Sequence, residues 1–106
     1  MVERLASYIK KELSAFLHEN VYLEDGVFLS VTHVLLDDSL DRAQIFVSVF
    51  PEKFSSEVFR ELNLLQKDSR KFLAQRIKRH KIPNIKFILD KNLDAENRIE
   101  KLLKKE

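Results

Sequence analysis

The sequence has 106 residues, 44% of them hydrophobic and 34% charged, with a formal net charge of +2 and no cysteine. That length supports one hydrophobic core, and that balance belongs to a folded domain rather than a disordered chain. The missing cysteines exclude a disulfide framework, a thiolate metal site and a cysteine nucleophile, while a lone glycine, Gly26, excludes the glycine-rich phosphate loops of Walker and dinucleotide type.

Residues 3–19 predict an amphipathic helix. Leu5, Ile9, Leu13 and Leu17 step by four with Tyr8 and Phe16 beside them, and Lys10, Lys11 and Glu19 point elsewhere. The mixed charge favours a core-packing helix over a membrane-surface one. Glu3, Arg4, Lys10 and Lys11 interrupt any secretory apolar stretch, and no apolar run approaches membrane-spanning length, so a cytoplasmic location is expected.

Residues 20–26 read as a connector, and residues 27–36, rich in Val, Leu, Phe and Thr, as a strand. Asp37, Asp38, Ser39 and Asp41 follow. Adjacent carboxylates can serve a metal or acid–base chemistry, but Asp and Ser are also what a tight connection uses, because their side chains bond nearby backbone groups. The turn reading is preferred. Residues 42–50 alternate, with Ala43, Ile45, Val47 and Val49 on one face, and pair with the first strand as an antiparallel hairpin. After Pro51, Ser55 or Ser56 can cap or lead a helix striped with Val58, Phe59, Leu62 and Leu65. It runs into a second helix, with a break expected near residues 66–69, where Asp68 or Ser69 offers the capping chemistry.

The next stretch, residues 67–86, carries eight basic residues against one acid, Asp68, so the rest of this +2 chain is net acidic. On a helix, Phe72, Leu73 and Ile77 share one side, while Lys67, Lys71, Gln75 and Lys78 form a row on the other, with Arg79 next to it and Arg70 nearer the apolar edge. Arg76 lies close to the buried side, where its stem covers apolar neighbours. A Lys-rich helix is most often a solvated face, but such a face usually has acids at i±4, and this one has almost none. Concentrated, uncompensated charge favours nucleic-acid binding. Pro83 ends the helix by pushing Ile82 towards extended backbone. Ile85, Phe87 and Leu89 then alternate as a third strand, and Asn92 can cap a short final helix bearing Ala95, Ile99, Leu102 and Leu103. The element order is helix, strand, strand, helix, helix, strand, helix: an α+β domain over residues 1–106, with no repeat and no linker.

Little else suggests chemistry. His18, His33 and His80 lack the spacing of a zinc site. His33 reads as a half-exposed strand residue, and His80 as either an anion-binding or a helix-terminal histidine. No serine stands in a nucleophile-elbow setting.

Several runs together resemble the bacterial ribosome-binding factor A family. They are Arg4-Leu5-Ala6-x-x-Ile9-Lys10-Lys11-Glu12-Leu13, Ala43-Gln44-Ile45-Phe46-Val47-Ser48, Arg70-x-x-Leu73-Ala74-x-x-Ile77, Pro83-Asn84-Ile85-Lys86-Phe87, Asp90-Lys91-Asn92 and Arg98-Ile99. The resemblance covers nearly the whole chain and rests on the order and spacing of these runs. It implies a KH-like fold of the type II order, with a three-stranded sheet packed against helices and a kinked helix pair. It also implies a non-enzymatic role in biogenesis of the small ribosomal subunit: binding immature small subunits and their rRNA, and assisting maturation of the rRNA 5′ end. A link to cold growth and to assembly GTPases follows from the same resemblance. Nothing in the sequence calls for a cofactor or for more than a monomer.

Three departures stand out. Leu65-Gln66-Lys67 replaces the family's Ala-x-Gly, at the place where typical KH domains carry a glycine clamp loop. His80 replaces an arginine, with the basic residue moved to Arg79, which suggests weakly pH-dependent RNA binding. Many members continue into a long polar tail, whose function here is expected to be missing or compressed into residues 101–105. The expected phosphate contacts are Lys71, Lys78, Arg79 and Lys81, with Lys67, Arg70 and Lys86 at the margins. Two other classes remain open: a KH-like module whose basic face takes another RNA or an acidic protein, and a hydrolase in which Asp37, Asp38 and Asp41 converge.

Overall fold

A computed structural model describes residues 2–78 and 81–90. Helix α1 spans Val2–Asn20, strands β1 and β2 span Phe28–Leu36 and Arg42–Phe50, and a single 3-10 turn, Glu52–Phe54, leads into α2, Ser55–Leu64. Helix α3 is Gln66–Arg76 and strand β3 is Asn84–Leu89. The strands form one mixed sheet in the order β1-β2-β3, with β1 antiparallel and β3 parallel to β2. This is an α+β, KH-like arrangement. The expected final helix, with Ala95, Ile99, Leu102 and Leu103, lies outside the described residues, as do Arg79 and His80.

The alternation in β2 does what it predicts: Ala43, Ile45, Val47 and Val49 are buried. Ile85 and Phe87 of β3 join them, and so do Leu29 and Val31 of β1. Ile9, Leu13 and Leu17 of α1, Val58 and Leu62 of α2, and Leu73 of α3 cover this face. All the described helices therefore pack against one side of the sheet. Strand β1 changes phase midway, because a bulge at Thr32 shifts the register between Val31↔Val47 and His33↔Phe46. An inserted residue moves every later side chain to the other face. The core residues of β1 are thus Leu29 and Val31, then the half-buried Val34 and Leu36.

The 37–41 connection is a turn, as its composition predicts. Asp37 Oδ1 accepts the backbone N–H groups of Asp41 (2.7 Å) and Arg42 (3.1 Å), and Ser39 donates to both Asp37 and Asp41. Leu40 sits there at φ 60°. Gly26, at φ 83°, supplies the left-handed residue of the turn before β1, a conformation side chains resist.

Three expectations about the helix pair need correction. Ser55 leads α2 rather than capping it: the N-cap is Phe54, with no side-chain cap bond, and a 3-10 turn precedes the helix. The α2–α3 interruption persists without glycine but falls at Leu65 (φ −92°, ψ 5°), one residue before the expected break. Those angles lie in the bridge region, which a leucine tolerates. Neither Asp68 nor Ser69 caps α3. Ser69 is fully buried and returns its hydroxyl to the Leu65 carbonyl at 2.8 Å, alongside its own N–H on the same oxygen. An i−4 back-bond of this kind bends a helix from within.

The third correction concerns length. Helix α3 ends at Arg76, well before the residue that Pro83 restricts. Ile77 turns extended (φ −101°, ψ 115°) while still donating to Leu73 O at 2.7 Å, which keeps its side chain in the core. The chain must then return to begin β3 beside Asp41, where Asn84 N–H bonds Asp41 O at 2.9 Å. A helix continued to residue 82 would leave too little chain for that return.

Leu73, with no exposed surface, is the main anchor of α3. Leu73→Ala is expected to cost about 3 kcal/mol of unfolding free energy in urea denaturation, because it removes a buried side chain and leaves a cavity. Lys71→Ala, one helical side away and exposed, should stay within about 0.5 kcal/mol of the parent.

Candidate nucleic-acid interface

The basic stretch sorts into committed and uncommitted cations. Arg76 is committed. Its guanidinium lies 4.8 Å from the centroid of the Phe72 ring, and Nη1 is 3.2 Å from Glu12 Oε1 on α1. The Tyr8 hydroxyl donates to the Arg76 carbonyl at 3.4 Å, and the Phe16 and Phe72 rings meet at 4.7 Å. These contacts fasten the end of α3 to α1. Arg70 donates from Nη2 to Ile82 O at 2.9 Å, tying the connector back onto the helix. Lys81 pairs with Asp41.

The uncommitted cations are Lys67, Lys71, Lys78 and Lys86. All four are exposed, and none makes an ion pair among the described residues. Lys67 and Lys71 stand one turn apart on α3, roughly 6 Å along its axis. Lys78 lies just beyond the helix end, so the row expected through it is not helical throughout. Lys86 stands apart from these three. It pairs in register with Gln44 on the sheet face away from the helices, between the buried Ile85 and Phe87. Helix α3 therefore places Lys67 and Lys71 on the side opposite Leu73, Lys78 follows beyond its end, and Lys86 is separate from them. Arg79 lies outside the described residues.

Two surface features were not read from the sequence. Leu64, the last residue of α2, is 78% exposed beside the interruption. A groove of about 450 Å³ runs between α2 and the end of β3, lined by Ser55, Ser56, Phe59, Arg60, Asn63 and Leu89. Leu89 belongs to an edge strand, and an edge strand's far side shows only once the strand order is known. No local sequence signal marks it.

The acidic turn spends its carboxylates structurally. The hydrogen bond from Arg42 N–H holds the Asp37 carboxyl below its ordinary range, with further help from Asp41 N–H and Ser39. The Lys81 ammonium, and then the Ser39 hydroxyl, do the same for Asp41. Among the described residues, no group of three or more His, Asp or Glu side chains is placed to hold a metal ion. His18 Nε2 lies 3.1 Å from Leu29 O, the position of an N–H donor, and His33 Nε2 lies 3.6 Å from Asp90 Oδ2. No described helix is long and apolar enough to cross a membrane.

Comparison with known proteins gives a consistent family. The family model of Ribosome-binding factor A matches residues 1–103. The Ribosome-binding factor A of Cytophaga hutchinsonii is 32% identical over 97% of this chain and 80% of its own length. That of Halothermothrix orenii is 36% identical over 96% of this chain and 84% of its own. The crystal structure of the Thermus thermophilus factor superposes with a TM-score of 0.70, at 22% identity, over 84% of this chain and 94% of its own. Coordinates of a Thermus thermophilus factor fitted into a cryo-electron-microscopy map of its 30S complex superpose with a TM-score of 0.62 at 20% identity, over 81% and 91% of the two chains.

The Asp41–Lys81 pair has a pH signature. Because the Asp41 carboxyl is lowered on folding, its contribution to stability is fully present above the ordinary value of 3.8 and is lost as the pH falls below that value through the folded-state one. Asp41→Asn should flatten this acid limb. In thermal unfolding from pH 5 down to about 2, the parent should lose melting temperature more steeply than the variant, while above that window their slopes coincide.

Proposed function

The chain belongs to the ribosome-binding factor A family, and on that premise we propose that it binds the immature small ribosomal subunit through rRNA phosphates at the α3 side. In this reading Lys67, Lys71 and Lys78 are the principal contacts. Arg79 and Lys81 extend the surface, Lys81 by exchanging Asp41 for a phosphate, and Arg70 supports it from the margin. Lys86 is reassigned away from this surface. The observation that carries the reading is the sorting of cations: Arg76, Arg70 and Lys81 have partners within the fold, whereas Lys67, Lys71 and Lys78 make no ion pair among the described residues. Uncompensated ammonium groups on a rigid helix suit a polyanion.

The Thermus thermophilus factor's fit into a 30S complex supports the small subunit as the partner. Catalysis is not needed for such a role. A protein that holds one arrangement of competing rRNA pairings through backbone contacts shifts the population of that arrangement. On the same footing the chain would act without cofactor, in the cytoplasm and as a monomer, assisting maturation of the rRNA 5′ end beside assembly GTPases. Selectivity would come from the shape of folded rRNA rather than from base reading by lysines.

Co-sedimentation with free small subunits across a salt series tests this. With about four phosphates neutralised, log affinity should fall against log salt with a slope near −3. Lys71→Glu/Lys78→Glu should weaken binding by at least about ten-fold and make that slope shallower by about two. A slope near zero in the parent, or equal binding by the variant, would refute the reading.

A further inference from the structure

The face of the sheet turned away from the helices has no partner in the mechanism above, and its composition is unusual for a solvent face. Register and alternation put Phe28 and Phe50 opposite each other at one end, then Ser30 opposite Ser48, then His33, Phe46 and Ile88 side by side, then Leu35, Gln44 and Lys86. Phe28 is 64% exposed, Phe50 61% and Leu35 54%. The His33 and Phe46 rings stand edge to face with centroids 6.1 Å apart. Apolar patches of this kind on a folded protein mark a binding surface.

What binds follows from the chemistry between the rings. A protein partner's interface core is depleted of polar groups. Here the rings alternate with the hydroxyls of Ser30, Ser48 and Thr32. Rings to stack on, with hydroxyls between them for hydrogen bonding, suit unpaired nucleic-acid bases. Charge agrees: Lys86 is exposed, makes no ion pair among the described residues and stands beyond one end of the face. Asp90, at the middle of the face, is buried, accepts the Thr32 hydroxyl and lies beside His33. Spacing agrees too. Phe46 and Phe50 are four residues apart on one strand, roughly 14 Å, enough to seat an extended strand of a few nucleotides.

We propose that the sheet face left uncovered by the described helices is a second RNA surface, on which Phe28, Phe50 and Phe46 stack the bases of a single-stranded segment while Lys86 meets its phosphates. This rests on the rRNA-binding reading above and extends it, because the lysines of α3 and the rings of the sheet lie on different sides of the protein. One copy would hold a phosphate backbone on one side and an unpaired strand on the other. Stacking differs from phosphate binding in its salt response: it adds affinity without releasing counterions.

The test is titration of the full chain into a fluorescently labelled oligouridine of about ten nucleotides, a length within the range single-strand sites span. Parent, Phe28→Ala, Phe28→Ala/Phe50→Ala, Phe28→Tyr and Lys71→Glu/Lys78→Glu are compared at several salt concentrations. The double alanine variant should bind roughly ten-fold more weakly with its salt slope unchanged, Phe28→Ala should show part of that loss, and Phe28→Tyr should bind like the parent. All of these residues are exposed, and circular dichroism of each variant serves as the folding control. Equal affinity for parent and alanine variants would overturn the inference, even with Lys71→Glu/Lys78→Glu still weakening subunit binding. So would a concentration-dependent dimer that the alanine variants abolish, since a second copy would then be the occupant. Failure of the parent to bind either oligouridine or small subunits would remove the underlying reading as well.

Discussion

Parallel pairing of β2 with β3 is the constraint on which the rest of the structure depends. Strand β2 ends at Phe50 and β3 must start at the opposite end of the sheet, beside Arg42. A parallel partner cannot be reached by a hairpin, so the chain has to cross over the sheet, and the crossover has to bury its apolar side on the way. The pair α2–α3 is that crossover. Its placement over Ile45, Val47, Ile85 and Phe87 follows from the strand register, and the outward direction of Lys67 and Lys71 follows from the placement of Leu73. The basic surface is therefore positioned by the core of the sheet rather than by a loop.

The same constraint explains how the cations divide. Those at the end of the crossover are needed to return the chain. Arg76 clamps α3 to Glu12, Arg70 holds the Ile82 carbonyl, and Lys81 meets Asp41 where β2 and β3 begin. The lysines before and beside them carry no such duty. A reading by charge count alone treats all eight basic residues of this stretch alike. Geometry separates those that hold the fold from those that face outward.

Much of this was legible in the sequence. The alternation of Ala43, Ile45, Val47 and Val49 located β2 to the residue, the steps of four in α1 located its buried stripe, and Asp37 and Ser39 announced a turn. What escaped depended on partners distant in the chain. The end of α3 at Arg76 is set by Tyr8 and by the return to Asp41, neither of which is local. The break was expected, but its place at Leu65 was not: it uses a leucine in bridge-region backbone and a buried serine behind it rather than a side-chain cap. Lys86 looked like part of the basic stretch because it is close in sequence, yet strand alternation sends it to the other face. The phase slip at Thr32 was not read from the sequence, because a run rich in Val, Leu, Phe and Thr marks a strand without showing where the partner strand shifts register.

The central claim is that the uncommitted lysines at the α3 side meet rRNA. Lysine-specific covalent labelling of the protein, free and bound to small subunits and read residue by residue by mass spectrometry, tests it most directly. Lys67, Lys71 and Lys78 should lose reactivity on binding, while the exposed Lys10 and Lys11 of α1 keep theirs. Unchanged reactivity at Lys67, Lys71 and Lys78 in the bound protein would contradict the account.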